Sequence, residues 1–131
     1  MKNIIKNPTF FVDIDGTIVK YRKFTELSTA KLEPIQDVID YLNNHYQSGS
    51  IIIITTGRPD TYREFTIEEL RKIGLNYHQL VMDLGRGTRV IFNDKDPDAS
   101  HIERAVGFNF TRNNGLDSIG GPPNIYQYES D

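Results

Sequence analysis

The chain has 131 residues, a length that fits one domain with a proper hydrophobic core. Its formal net charge of −3 and pI near 5.6 argue against a general electrostatic grip on nucleic acid. The absence of cysteine excludes disulfides, thiol chemistry and cysteine-based zinc sites. Neither a signal-peptide pattern nor an apolar run of membrane-spanning length is present, so we expect a cytoplasmic protein without membrane contact.

The first predicted strand ends in two carboxylates and a glycine. Residues 10–19 read FFVDIDGTIV, and the aromatic and β-branched residues of the first half are typical of a buried strand. Asp13 and Asp15 are two apart, so their side chains point to the same side of an extended chain, about 6.6 Å apart along it. Gly16 permits a sharp turn directly afterwards.

These two carboxylates favour a chemical site over packing, because a buried ionised carboxylate is costly unless it is paired or bound to a metal. An Asx-rich surface turn is the alternative. A calcium loop of the EF-hand type is excluded, because the glycine stands at the wrong loop position and Phe24 occupies the place of the glutamate ligand.

Helix and strand patterns then alternate along the chain. Residues 20–31 are predicted to form a loop or flap beside the first strand, and residues 85–87 form a Gly-Arg-Gly loop. Predicted helices cover residues 34–48, 60–74 (capped by Asp60 or Thr61) and 100–103, and later predicted strands cover residues 51–56, 79–82, 89–93 and 105–110.

The alternation predicts an α/β fold: a doubly wound, Rossmann-like parallel sheet of about five strands with helices on both faces. Residues 1–110 would form the catalytic core. Residues 111–131 would form an irregular C-terminal tail, packed by Ile125, Tyr126 and Tyr128 or partly mobile.

Polar residues follow several predicted strands where ligands bind in open α/β sheets, beyond the carboxyl ends. They are Asp13, Asp15, Thr56, Arg86 and Asp94. Their convergence on one edge predicts a single site there. The histidines His45, His78 and His101 are scattered away from this edge and are predicted to have surface or helix-end roles.

Asp13-x-Asp15-Gly16-Thr17 after an apolar strand resembles the first motif of the haloacid dehalogenase (HAD) superfamily of phosphohydrolases. Residues 51–58 resemble its second motif, a strand ending in Thr or Ser. In relatives that end in Thr-Gly-Arg, the hydroxyl before the glycine binds phosphate. This implies Thr56, with Gly57, rather than Thr55.

The third motif of this superfamily is a Lys or Arg that neutralises the phosphoryl group. Arg86 is the first choice for this residue and Arg89 the alternative, and a weak surface ion pair is the non-functional interpretation of either. Arg58 would either hold a second part of the substrate or pair with a local carboxylate, and Thr17 is a further substrate contact.

The fourth motif presents acids to a magnesium ion. Here it resembles Asn93-Asp94, with Asp98 four residues later. Asn93 departs from the adjacent-acid form of the motif. The resemblance implies Mg²⁺ held by Asp13, the main-chain carbonyl of Asp15, and Asp94, with Asp98 acting directly or through water.

The resemblance covers residues 10–98 and implies a magnesium-dependent phosphomonoesterase without a cap domain. Asp13 would attack phosphorus to form an aspartyl-phosphate, and Asp15 would act as general acid and base. The substrate would be a phosphorylated small molecule, such as a sugar phosphate or a glycan precursor. The alternatives are a phosphatase for nucleic-acid ends and a non-catalytic binding protein with the HAD fold. A homo-oligomer or the flap would cover the open site.

Overall fold

A computed structural model describes residues 7–125 of the chain. It contains one parallel sheet of three strands in the order β1-β2-β3. The strands are β1 (Thr9–Val12), β2 (Ile51–Thr55) and β3 (Gln79–Val81), and the helices are α1 (Gln36–Gln47) and α2 (Arg63–Lys72). Short 3-10 turns occupy Phe24–Glu26, Asp60–Tyr62, Pro97–Ala99 and Gly115–Ile119.

The core lies between β2 and the helices. Ile52 and Ile54 on β2 have no exposed surface, and the helical spacing in α1 buries Val38, Ile39 and Leu42 on one face. Each such side chain stabilises the fold by about 1.5–3 kcal/mol. The predicted first three strands and first two helices are confirmed to within a few residues.

The predicted doubly wound sheet of about five strands is wrong. Within residues 7–125 the sheet has three strands, and residues 89–93 and 105–110 form none. Val90, Ile91 and Phe92 are instead 70%, 59% and 93% exposed. Their composition favours a strand, but a strand also needs a neighbouring backbone to complete its hydrogen bonds.

The chain after β3 turns back toward the end of β2 instead of running into another strand. Asp83 and Leu84 donate backbone N–H bonds to the carbonyls of Arg58 (2.9 Å) and Thr56 (3.1 Å). Asp83 and Gly85 both have positive φ, at 64° and 72°. These bonds and turns satisfy the backbone locally and bring the loop to the carboxyl edge of the sheet.

Two helix predictions also need correction. Neither Asp60 nor Thr61 caps α2, because a 3-10 turn precedes the helix and its N-terminal residue makes no side-chain capping bond. Asp60 instead accepts a 2.8 Å bond from Nε of Arg63. The short helix predicted at 100–103 is displaced to a 3-10 turn at Pro97–Ala99, which Asp96 caps by accepting the N–H of Asp98.

The C-terminal segment packs on α1. Leu116 is buried in the core, and its N–H donates a 3.2 Å bond to Oδ2 of Asp37 on α1. Ile125 is also buried, whereas Tyr126 and Tyr128 lie outside the described residues. Across residues 7–125, no helix has the length and apolar character needed to cross a membrane.

Candidate functional site

A pocket of about 310 Å³ opens at the carboxyl edge of the sheet. Its walls are the turns after β1, β2 and β3, the flap of residues 20–31, and one residue of the C-terminal segment. The lining residues are Asp13, Asp15, Tyr21, Arg22, Phe24, Leu27, Thr56, Gly57, Arg58, Gly85, Arg86, Arg89 and Arg112. The structure therefore brings together the residues predicted from the first three motifs, except Thr17, which contacts the pocket through Asp13.

Asp13 presents its carboxylate to this pocket. Oδ2 accepts a 3.2 Å hydrogen bond from the hydroxyl of Thr17, and Asp13 takes part in none of the salt bridges found within residues 7–125. Burial by the surrounding protein atoms raises the pKa of Asp13, and the charge of Asp15 raises it further. The bond from Thr17 acts in the opposite direction and favours the ionised form.

Asp15 is held by Arg58. Nε and Nη2 of Arg58 donate to the two carboxylate oxygens of Asp15 at 3.0 and 2.9 Å, a bidentate geometry typical of a strong ion pair. The exposed fraction of the side chain is 3% for Arg58 and 21% for Asp15. Of the two roles predicted for Arg58, this contact corresponds to pairing with a local carboxylate.

The same ion pair continues into a buried network. Nη1 of Arg58 donates to Oε1 of Glu69 (3.0 Å) and to the hydroxyl of Thr66 (3.1 Å) on α2. Glu69 also accepts two 2.8 Å bonds from Arg22, whose Nη1 further donates to the carbonyl of Leu27. The network therefore joins the flap, α2 and Asp15.

Glu69 and Arg22 were not predicted as site residues. Helical spacing in the sequence could have indicated Glu69, because positions 66, 69, 70 and 73 lie on one face of the helix, and all four are buried. A charged residue at a buried helical position needs a partner. Arg22 gives no comparable signal, because it lies in a polar loop without periodicity.

Thr56 and Gly57 shape the floor of the pocket. The Thr56 hydroxyl accepts the N–H of Arg58 at 3.1 Å, which leaves its own proton free to donate to a ligand. Gly57 approaches Gly85 so closely that a Cβ at position 57 would stand 2.7 Å from the Gly85 carbonyl oxygen. Only glycine fits this approach between the turns after β2 and β3.

Arg86 and Arg89 have different surroundings. The guanidinium of Arg89 donates to the carbonyls of Leu84, Gly85 and Gly87 at 2.9–3.2 Å, so it stabilises its own loop. Arg86 lines the pocket, and no hydrogen bond or ion pair engages its side chain within residues 7–125. The surroundings favour Arg86 as the arginine that is available to a ligand.

The C-terminal segment supplies a further arginine that the sequence analysis did not single out. The guanidinium carbon of Arg112 lies 3.7 Å from the ring centroid of Tyr21, a close cation–π contact. Asn113 accepts the N–H of Tyr21 at 2.7 Å and donates its own N–H to the Gly16 carbonyl at 2.9 Å. No sequence pattern places residue 112 here, because the contact is a long-range one.

The proposed magnesium ligands are not assembled. Asp94 and Asp98 do not line the pocket, and within residues 7–125 no group of three acidic or histidine residues has metal-binding geometry. Both carboxylate oxygens of Asp15 are engaged by Arg58. Asn93 donates to the Arg104 carbonyl at 3.1 Å, away from Asp13. Because the resemblance assigns the main-chain carbonyl of Asp15 and not its carboxylate to magnesium, magnesium binding stays a prediction.

The fold and pocket define a small parallel α/β protein with an acid pair and several arginines at the carboxyl edge of its sheet. No family model matches the sequence, and no curated protein matches it. The crystal structure of an MCSG target from Vibrio cholerae is similar, with a TM-score of 0.51 and 22% sequence identity over 66% of this chain and 79% of that chain. At this identity the similarity concerns the fold alone.

Proposed function

We propose that this protein is a phosphomonoesterase of the HAD type, in which Asp13 is the nucleophile. The observation that carries the proposal is the carboxylate of Asp13, which has no ion-pair partner within residues 7–125 and faces a pocket with an available arginine and a hydroxyl donor. Arg86 and Thr56 would hold the phosphoryl oxygens and offset the negative charge that a second anion brings beside Asp13.

In the first step a carboxylate oxygen of Asp13 forms a bond to phosphorus while the bond to the ester oxygen breaks. The leaving alkoxide takes a proton and departs as an alcohol. Water then attacks the aspartyl-phosphate, releasing phosphate and restoring the carboxylate. Asp15 is the residue next to this centre that can move these protons, and its bidentate contact with Arg58 has to open for it to do so.

Magnesium enters this proposal only through the resemblance in sequence. When bound, it would supply neutralisation of the phosphoryl charge. The steps above use only side chains that line the pocket, and within residues 7–125 Asp94 and Asp98 are not among them. Activity measured with added magnesium and with a chelator tests the requirement directly.

The first experiment is hydrolysis of an aryl phosphate by the parent protein, Asp13→Asn and Asp117→Asn. Asp117 is exposed and outside the pocket, so its variant is the matched control. We expect Asp13→Asn to lose turnover by at least about a thousandfold, because the covalent step needs the carboxylate. Turnover that survives in Asp13→Asn would contradict the nucleophile. A parent that is inactive on aryl phosphates, sugar phosphates and phosphate esters with a second acidic group would contradict the phosphatase function.

Binding without catalysis is a second candidate function. The engagement of Asp15 by Arg58 favours it, because the proposed general acid is held in an ion pair. A protein of this kind would show no turnover, yet phosphate or vanadate would raise its melting temperature. A cytoplasmic location and a homo-oligomer that covers the pocket also belong to the proposal, tested by cell fractionation and by light scattering.

A further inference from the structure

We propose that Arg112 binds a second acidic group, a carboxylate or a phosphate, on the leaving group of the substrate. This inference rests on the phosphomonoesterase function proposed above and names its substrate class: small phosphate esters with two acidic groups.

The backbone that follows Arg112 holds it in place. Asn113, at φ 72°, donates its N–H to the Gly16 carbonyl in the turn after β1, and its side chain accepts the N–H of Tyr21 in the flap. The 3-10 turn Gly115–Ile119 then packs on α1 and is fixed there through Asp37. Arg112 is therefore part of a built wall, although the segment lacks long secondary structure.

The guanidinium of Arg112 is positioned but not neutralised. It covers one face of the Tyr21 ring at 3.7 Å, and no carboxylate pairs with it within residues 7–125. A guanidinium stacked on a ring still has the N–H groups along its edge, which match a carboxylate or phosphate in a bidentate way. Since the cation occupies this face of Tyr21, the pair fits an anion better than a planar base.

The charges that line the pocket do not balance without a ligand. Arg22 and Arg58 are paired with Glu69 and Asp15, and carbonyl oxygens engage Arg89. The carbonyl oxygens do not cancel the charge of Arg89, which acts on Asp13 and favours its ionised form. Of the lining side chains this leaves the positive charges of Arg86, Arg89 and Arg112 against the one carboxylate of Asp13.

In the proposed reaction Arg86 serves the transferred phosphoryl group. Arg112 can then neutralise a second acidic group. A volume of 310 Å³ also lies at the lower end of small-molecule pockets and exceeds what a phosphate alone would fill.

The test measures binding, so that it does not depend on turnover. Titration calorimetry on Asp13→Asn, which retains the pocket arginines, compares glycerol phosphate, phosphoglycerate and glycerol bisphosphate. We expect the two compounds with a second acidic group to bind about tenfold more tightly than glycerol phosphate. Adding Arg112→Gln should remove this difference, whereas Arg104→Gln, an exposed arginine outside the pocket, should keep it.

Arg112→Lys keeps the positive charge without the planar guanidinium and should retain part of the preference for doubly acidic compounds. This variant also provides a test if Arg112→Gln fails to fold. Preference for only one of the two doubly acidic compounds identifies the carboxylate or the phosphate as the second group. Equal binding of all three compounds, a preference that survives Arg112→Gln, or no binding of any compound would overturn the inference. Selective binding together with a parent that hydrolyses none of the three would overturn the phosphatase function and keep the second anion site.

Discussion

The central isoleucines of β2, in residues 9–82, and the apolar residues 90–92, in residues 83–110, lie in opposite environments. In the first region Ile52 and Ile54 have no exposed surface, whereas in the second Ile91 and Phe92 are 59% and 93% exposed. Both regions contain short β-branched and aromatic runs, so local composition is similar. A run of β-branched and aromatic residues therefore indicates an apolar segment, but it does not determine whether a neighbouring strand is present to pair with it.

A matched pair of isoleucine substitutions tests this comparison most strongly. Ile54→Ala should lower the free energy of unfolding by about 4 kcal/mol, because it opens a cavity in the core. Ile91→Ala should change it by no more than about 0.5 kcal/mol, since its side chain is largely in solvent. Urea unfolding of both variants measures the difference, and similar large losses would mean that residues 89–93 pack in solution.

The two adjacent glutamates of α2 provide a second comparison, between a buried and an exposed charge. Glu69→Gln removes the charge that holds Arg22 and Arg58, so we expect a loss of about 3 kcal/mol. Glu68→Gln breaks only an exposed pair with Arg71 and should leave the melting temperature nearly unchanged. A mild effect of Glu69→Gln would show that the network contributes little to stability.

The raised pKa of Asp13 should have a smaller effect, which is seen in the dependence of kcat/KM on pH. Burial raises the pKa of Asp13 above 3.8, and the nucleophile has to be ionised. We therefore expect kcat/KM for an aryl phosphate to decrease as the pH is lowered, and to begin this decrease at a pH above 3.8. Thr17→Val removes a hydrogen bond that favours the ionised form and should move this acid limb to higher pH. An unmoved limb would assign it to another group.

His45 gives the smallest effect. Burial lowers its pKa below the ordinary 6.5, so the unfolded chain binds this proton more readily than the folded one. Stability should therefore decrease as the pH falls below 6.5, and His45→Gln should reduce that dependence. Melting temperatures across this range measure it, with the exposed His101→Gln as control. An identical slope in both variants would contradict the assignment.

The sequence predicted the parts of the fold that depend on local pattern. Strands β1 and β2 follow from their apolar runs and the apolar face of α1 from periodicity, so Asp13, Asp15 and Thr56 were correctly placed after their strands. The prediction that both strands are fully buried was wrong, because Phe11 and Ile51 are 63% and 45% exposed. The strands predicted at 89–93 and 105–110 were wrong, because sheet pairing depends on a neighbour that no local pattern specifies.

The residues of the candidate site also fall into those that local sequence predicts and those that it does not. Residues close to a strand end were found from their position. Glu69 joins the site through its bond with Arg58, and Arg112 lines the pocket from the C-terminal segment, so both depend on tertiary contacts. The ion pair between Asp15 and Arg58 was one of two roles left open, since sequence spacing does not state whether a guanidinium turns to a substrate or to an acid.

The bonds between Asn113 and the turn at Gly16 have a consequence for how such a protein can diversify. Arg112 is anchored to the turn after β1 and to α1, so its position does not depend on the path of residues 83–110. Insertions or deletions near residues 100–105 should therefore leave the pocket wall intact, because only the ends of that segment are fixed. Residues 100–105 can be lengthened, shortened or replaced by another module while Arg112 stays beside the acid pair.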